Sequence, residues 1–141
     1  MLVVEDEDAI LQLLALLVRR GGAEAVLAGS VAEAQQLGDG IDVAVVDKNL
    51  PDGNGVDLLR WLRQTAPGVP VLMVTGYANT ESAAEALRLG AFDYILKPFD
   101  VAWVTRRIQL ALEHRRLTAL MRPDFSDDEA IAALLELRRR G

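Results

Sequence analysis

The sequence predicts an α/β domain: a doubly wound, five-stranded parallel sheet of (βα)5 order, with an extra C-terminal helix. Three observations carry this. Short apolar runs alternate with longer amphipathic ones along most of the chain. Several of those runs are apolar without alternation, as in strands covered on both faces. The amphipathic stretches carry their own start and stop signals. A chain of 141 residues supplies one domain with about twenty residues to spare.

The strands are expected at residues 1–4, 23–28, 43–46, 69–74 and 92–96. The first helix shows the stripe Ile10, Leu14, Leu17 and Val18, opens on acids that suit a helix N-terminus, and ends at Gly21 and Gly22. Ser30 and Glu33 form a capping box for the second, which Gly38 ends. Val56, Leu59 and Leu62 mark the third, stopped near Pro67 and Gly68. Ala83, Ala84 and Leu87 mark the fourth, ended by Gly90. Val101, Val104, Ile108 and Leu112 mark the fifth. Pro123 breaks the pattern, and a second capping box, Ser126 to Glu129, opens a sixth helix with Ile131, Leu134, Leu135 and Leu137. Arg138, Arg139 and Arg140 suit the negative end of its dipole. The chain thus divides into a domain over 1–120 and a linker with an amphipathic helix over 121–141.

Composition narrows the function. With 51% hydrophobic and 26% charged residues the chain is globular. It has no cysteine, which excludes a disulfide scaffold, a thiol nucleophile and Cys-ligated metal. His114 is the single histidine, so a multi-histidine metal site is excluded too. The formal charge of −6 argues against direct nucleic-acid binding. No apolar run approaches the ~20 residues of a membrane span. Acids follow the first four residues, unlike a signal peptide, so the expected compartment is the cytoplasm.

Parallel sheets carry their ligands at the carboxyl ends of the strands. Glu5, Asp6, Glu7 and Asp8 follow the first strand, Asp47 the third, Thr75 the fourth and Lys97 the fifth. Singly, each has a plain structural reading as a helix start, turn cap or surface lysine. Together they gather carboxylates, a hydroxyl and an ammonium at one rim. Clustered carboxylates favour a cation, and an all-oxygen donor set favours Mg²⁺ or Mn²⁺. Such a set has the parts for phosphoryl transfer to a carboxylate.

These residues resemble the receiver domain of two-component response regulators, a flavodoxin-like fold. The resemblance covers about residues 2–117. It rests on Val3-Val4-Glu5-Asp6-Glu7, Asp42 to Asp47 with Leu50-Pro51-Asp52-Gly53, Val74-Thr75-Gly76-Tyr77, and Gly90 through Lys97-Pro98-Phe99. It implies that Asp47 is the phosphoacceptor and Asp6 a direct Mg²⁺ ligand, with Glu5 acting through water. It also implies a ligand role for Asp47 and for the backbone carbonyl of Asn49. Lys97 would pair with a phosphoryl oxygen, held by Pro98 through a cis bond. Thr75 would donate to the phosphoryl group, with Tyr94 as the aromatic switch that follows it. Glu5 stands where many relatives have aspartate, and Gly76 where alanine is more frequent. The implied partner is a sensor histidine kinase or a histidine phosphotransfer protein. The implied action is a switch rather than a turnover enzyme, acting on the surface of the fourth helix, fifth strand and fifth helix.

Two other functions are weighed. An Mg²⁺-dependent phosphohydrolase with an Asp nucleophile would use the same site, but no insertion is long enough for a substrate cap. An FMN binder would need a hydroxyl-rich phosphate loop after the first strand, which here is acidic. On the fifth helix a second stripe, Trp103, Arg107, Leu110, His114, Leu117 and Met121, recurs at spacings of four and three. It either covers the domain's flank or packs against a helix, forming a homodimer or receiving residues 124–140. Tyr77 is expected to shield the acceptor from water. His114 is expected to favour the helix C-terminus rather than to relay phosphate.

Overall fold

The computed structural model describes residues 1–37, 40–76, 80–120, 132 and 135–139. In order, the elements are β1 (Leu2–Val4), α1 (Asp8–Arg20), β2 (Val26–Ala28), α2 (Val31–Gln36), β3 (Ala44–Asp47), β4 (Asn49–Leu50), β5 (Gly53–Asn54), α3 (Gly55–Thr65), β6 (Val71–Thr75), α4 (Thr80–Arg88), β7 (Asp93–Leu96) and α5 (Val101–Leu120). The main sheet has strand order β2-β1-β3-β6-β7, and every pairing in it is parallel. This is the doubly wound order, reversing direction at β1 and β3.

Alternation along the strands sorts the core into two layers. Leu2, Val4, Ala44, Val46, Val71 and Met73 face α2, α3 and α4, where they meet Leu58, Leu59 and Leu62. Val3, Val45, Leu72, Val74 and Ile95 face α1 and α5, where they meet Leu14, Leu17, Val104 and Ile108. Each fully buried Leu or Ile contributes roughly 1.5–3 kcal/mol. Burial on both faces explains why β1, β3 and β6 read as largely unbroken apolar runs.

Several local expectations shift. The second strand is shorter than expected, 26–28 rather than 23–28, and lies at the sheet edge with Val26 exposed. The fourth expected strand begins at Val71, because Pro70 has no N–H to pair, although its carbonyl accepts from Ala44. Ser30 caps α2 by accepting from the Glu33 N–H at 3.1 Å. The Glu33 carboxylate reaches the Gly29 N–H, one residue before the expected capping-box partner. The α4 stripe is misassigned: Ala84 and Leu87 are exposed, and Ala86 and Leu89 face the core. A helix with alanines around its circumference offers too little contrast to fix its face. On α5, Val104, Ile108 and Ala111 are buried and Leu112 packs beside them, while Val101 is exposed. Residues 135–139 are helical. Gly38, Tyr77, Met121, the capping box over 126–129, and Ile131 and Leu134 lie outside the described residues, as does the packing expected of 124–140.

The segment after Asp47 holds two features that pattern reading did not find. Residues 49–54 form a small antiparallel hairpin, β4 against β5, around Pro51 and Asp52. The Asp52 carboxylate leaves it to accept the N–H groups of Val31 and Ala32, at 2.8 and 3.0 Å. Those backbone bonds hold its carboxyl below the usual range. The hairpin is thereby tied to the start of α2. Gly55 then opens α3, donating its N–H to the Lys48 carbonyl at 2.7 Å. A Cβ at Gly55 would collide with the backbone carbonyl of Asp47. Only glycine lets the helix start this close to the end of β3. We expect Gly55→Ala to destabilise the protein by about 1–3 kcal/mol in urea unfolding, with shifted backbone resonances at 47 and 48. Unchanged stability would mean the contact relaxes freely.

Candidate functional site

The strand ends place the site. Glu5 and Asp6 leave β1, Asp47 ends β3, Thr75 ends β6 and Lys97 follows β7. All lie at the carboxyl edge of one sheet, the edge predicted from its topology. Parallel register aligns them: Val4 pairs with Val46, Asp47 with Val74 and Thr75 with Leu96.

Lys97 is the centre. Its ammonium donates to Glu5 Oε1 at 2.7 Å and to Asp47 Oδ2 at 3.0 Å. The Lys97–Pro98 peptide is cis. Glu5 is fully buried and Asp47 nearly so, while Lys97 keeps partial exposure. Burial and the neighbouring Asp47 push the Glu5 carboxyl up to about 8, against the pull of Lys97. Burial opposes the charge of Lys97, but both carboxylates outweigh it and raise its pKa. Asp47 Oδ1 accepts the Asn49 N–H at 3.0 Å, so each acceptor oxygen has a fixed partner.

A cation fits this rim. Glu5, Asp6 and Asp47 each offer a carboxylate oxygen, all within 4.8 Å of one another. Glu5 Oε2 is buried without a hydrogen-bond partner, a desolvated acceptor that a hard cation would satisfy. Asp6 is exposed and leaves the cluster open to solvent on that side.

Thr75 is fully buried. Tyr94 packs partly buried against the layer of α2, α3 and α4. Burial raises its phenol pKa, and Thr75 nearby acts in the opposite direction. The two expected switch residues are therefore neighbours. Lys48, which no motif singled out, donates to Ser82 Oγ of α4 at 2.5 Å, linking the residue beside Asp47 to that helix. Its position after an expected acceptor was the only sequence signal available. His114 is remote from this edge, its ring 5.2 Å from that of Phe92. Tyr77 is outside the described residues.

The raised Glu5 pKa has a defined sign. The folded chain binds this proton more tightly than the unfolded chain, so stability falls as pH rises from the ordinary 4.5 through about 8. In melts of metal-free protein, this decline should be smaller in Glu5→Gln than in the parent. Equal slopes across that window would contradict the burial account.

Comparison with known proteins agrees with this geometry. The family described as the response regulator receiver domain matches residues 1–109. Response regulator protein PilR of Pseudomonas aeruginosa is 36% identical over 116 residues, covering 81% of this chain and 26% of that protein. Regulatory protein AtoC of Escherichia coli is 37% identical over 114 residues, covering 79% and 25%. The chain thus spans about a quarter of the length of these curated relatives. Among solved structures, a CheY-like receiver domain protein from Methanospirillum hungatei superposes with a TM-score of 0.76 at 31% identity, covering 81% and 93%. The beryllofluoride-activated NtrC4 receiver domain dimer gives 0.76 at 29%, covering 81% and 96%. A receiver-type strand order, an acidic rim braced by a lysine and these matches lead to one conclusion: the chain belongs to the response regulator receiver domain family.

Proposed function

We propose that the chain is a phosphorylation switch in which Asp47 accepts a phosphoryl group from a sensor histidine kinase or a histidine phosphotransfer protein. The observation that carries this is the Lys97 ammonium, bonded to both Glu5 and Asp47 at the sheet edge. The acceptor carboxylate attacks phosphorus, the P–N bond of the donor phosphohistidine breaks, and the imidazole leaves with the electron pair. Lys97 is poised to exchange its Asp47 contact for a phosphoryl oxygen. Glu5, Asp6, Asp47 and the Asn49 backbone carbonyl would hold Mg²⁺, or Mn²⁺ in its place. That cation supplies positive charge beside the phosphoryl oxygens.

Thr75 then donates to the phosphoryl group, and Tyr94 follows it. The surface that reads this movement is built by α4, β7 and α5. Leu87, Leu96, Val101 and Trp103 stand exposed there, with Arg107 stacked on the Trp103 ring at 4.9 Å and paired with Asp93 at 3.2 Å. Leu87 and Val101, the residues that the sequence stripes assigned to the core, belong to this surface. Its apolar side chains fit a second copy, so a homodimer through α5 and the C-terminal helix is part of the proposal. In this division residues 1–120 act as the receiver and 121–141 as linker and helix. Among the described residues, no helix is long and apolar enough to cross a membrane.

Beryllofluoride with Mg²⁺ should shift the resonances of Thr75, Tyr94, Leu96 and Trp103 in the parent. It should shift none of them in Asp47→Asn, and chelating the metal should abolish the effect. Thr75→Ala should still form the adduct but lose most of the Tyr94 shift. An Asp47→Asn protein that responds like the parent would refute the assignment.

A further inference from the structure

Little apolar surface holds α4 to the rest of the domain. Of its residues only Ala86 is buried, and Leu89, just past its end, packs partly buried on the same layer. Polar ties supplement this. Ser82 Oγ accepts from the Lys48 ammonium at 2.5 Å, in a partly buried setting. Three residues on, Glu85 Oε1 accepts from Arg60 Nη2 of α3 at 2.6 Å. Residues three apart share a helix face, so one edge of α4 is tied both to the end of β3 and to α3.

The two ties are unequal. Arg60 and Glu85 are each nearly half exposed, and an ion pair so exposed contributes little. The Lys48 bond is short and charge-assisted, and its stem is fixed at both backbone groups. The Lys48 N–H donates to the Val74 carbonyl at 2.8 Å, and the Lys48 carbonyl accepts from Gly55 at 2.7 Å. Gly55 itself lies so close to Asp47 and Lys48 that a Cβ would collide with both. Lys48 is therefore a braced post beside Asp47, with its charged head on the first turn of α4.

The order of the chain sets this tie against the switch. Only residues 76–79 separate Thr75, at the end of β6, from the start of α4 at Thr80. In the phosphorylation reading Thr75 moves toward Asp47, and so short a connection transmits that movement to the first turn of α4. Lys48 belongs to the strand that stays. Displacing Ser82 relative to β3 lengthens the Lys48–Ser82 bond, and hydrogen bonds weaken steeply with poor geometry. A contact made in one state and lost in the other shifts the equilibrium toward the first.

We propose that the Lys48–Ser82 bond is a clasp that favours the resting position of α4, which makes Lys48 a positioning residue that restrains the response to modification of Asp47. This rests on the phosphorylation reading of the site.

The test is ¹⁵N NMR of the whole chain with Mg²⁺, titrated with beryllofluoride. It compares the parent with Lys48→Met, Ser82→Ala, the double variant and Arg60→Gln. Methionine keeps an unbranched apolar stem and removes the ammonium. Lys48→Met and Ser82→Ala should each bind beryllofluoride about three- to tenfold more tightly, as the resting state loses one charged hydrogen bond. The double variant should match the singles, because both changes remove the same bond. Arg60→Gln should stay within about twofold of the parent. Before beryllofluoride is added, the Ala86 and Leu87 amide peaks of the clasp variants should already lie on the line joining the parent's free and adduct positions. Loosening without a shift between the two states would move them off that line. A parent that forms no adduct at Asp47 would refute the phosphorylation reading and the clasp with it. A parent that forms the adduct, with clasp variants that bind equally or more weakly, overturns the clasp alone. So do additive effects in the double variant, or an equal gain in Arg60→Gln.

Discussion

The Lys97 ammonium between Glu5 and Asp47 is the interaction on which the rest depends. Two buried carboxylates at one strand edge repel each other and resist desolvation. The lysine offsets both. It brings β7 to the same chemistry as β1 and β3, although these strands are not all neighbours in the sheet. The sheet contributes position: parallel register sets the ends of four strands level, and burial from both sides keeps them there. The cost appears at Glu5, whose carboxyl is pushed up to about 8 and keeps one oxygen without a partner. That unsatisfied oxygen, beside exposed Asp6, makes the site incomplete by itself and receptive to a cation.

The same arrangement explains how a change at Asp47 could travel. Asp47 ends β3, and the next residue, Lys48, is bonded to Ser82 of α4. Thr75 ends β6 and neighbours Tyr94 on β7. Both routes leave the site toward α4, β7 and α5, where large apolar side chains remain exposed. The opposite side of Asp47 is braced. Gly55 packs its backbone against the end of β3, and Asp52 fastens the hairpin to α2. One flank is built to hold still, and the other has side chains free to repack.

The sequence made the site legible where strand ends coincide with chemistry. Asp47 and Thr75 each follow an unbroken apolar run, and Lys97 follows Tyr94-Ile95-Leu96 at the end of the last strand, so topology gathers them. The resemblance to receivers added the pairing of Thr75 with Tyr94. The α4 face was not legible, because Ala83, Ala84 and Ala86 give nearly the same signal in any register. Val101 on α5 was misread because it continues the helical spacing of Val104 and Ile108 beyond the edge of the packed layer. Gly55 could not be found by pattern, since its role is a backbone approach that no periodicity records.

The central claim is that Asp47 is the acceptor and that the acidic rim makes it one. Peptide-mapping mass spectrometry after treatment with acetyl phosphate tests it most directly, with Mg²⁺ present and with the metal chelated. The account predicts a single phosphoryl group, on the peptide containing Asp47, formed only when the metal is present. A phosphoryl group on another residue, or equal labelling without metal, would contradict it.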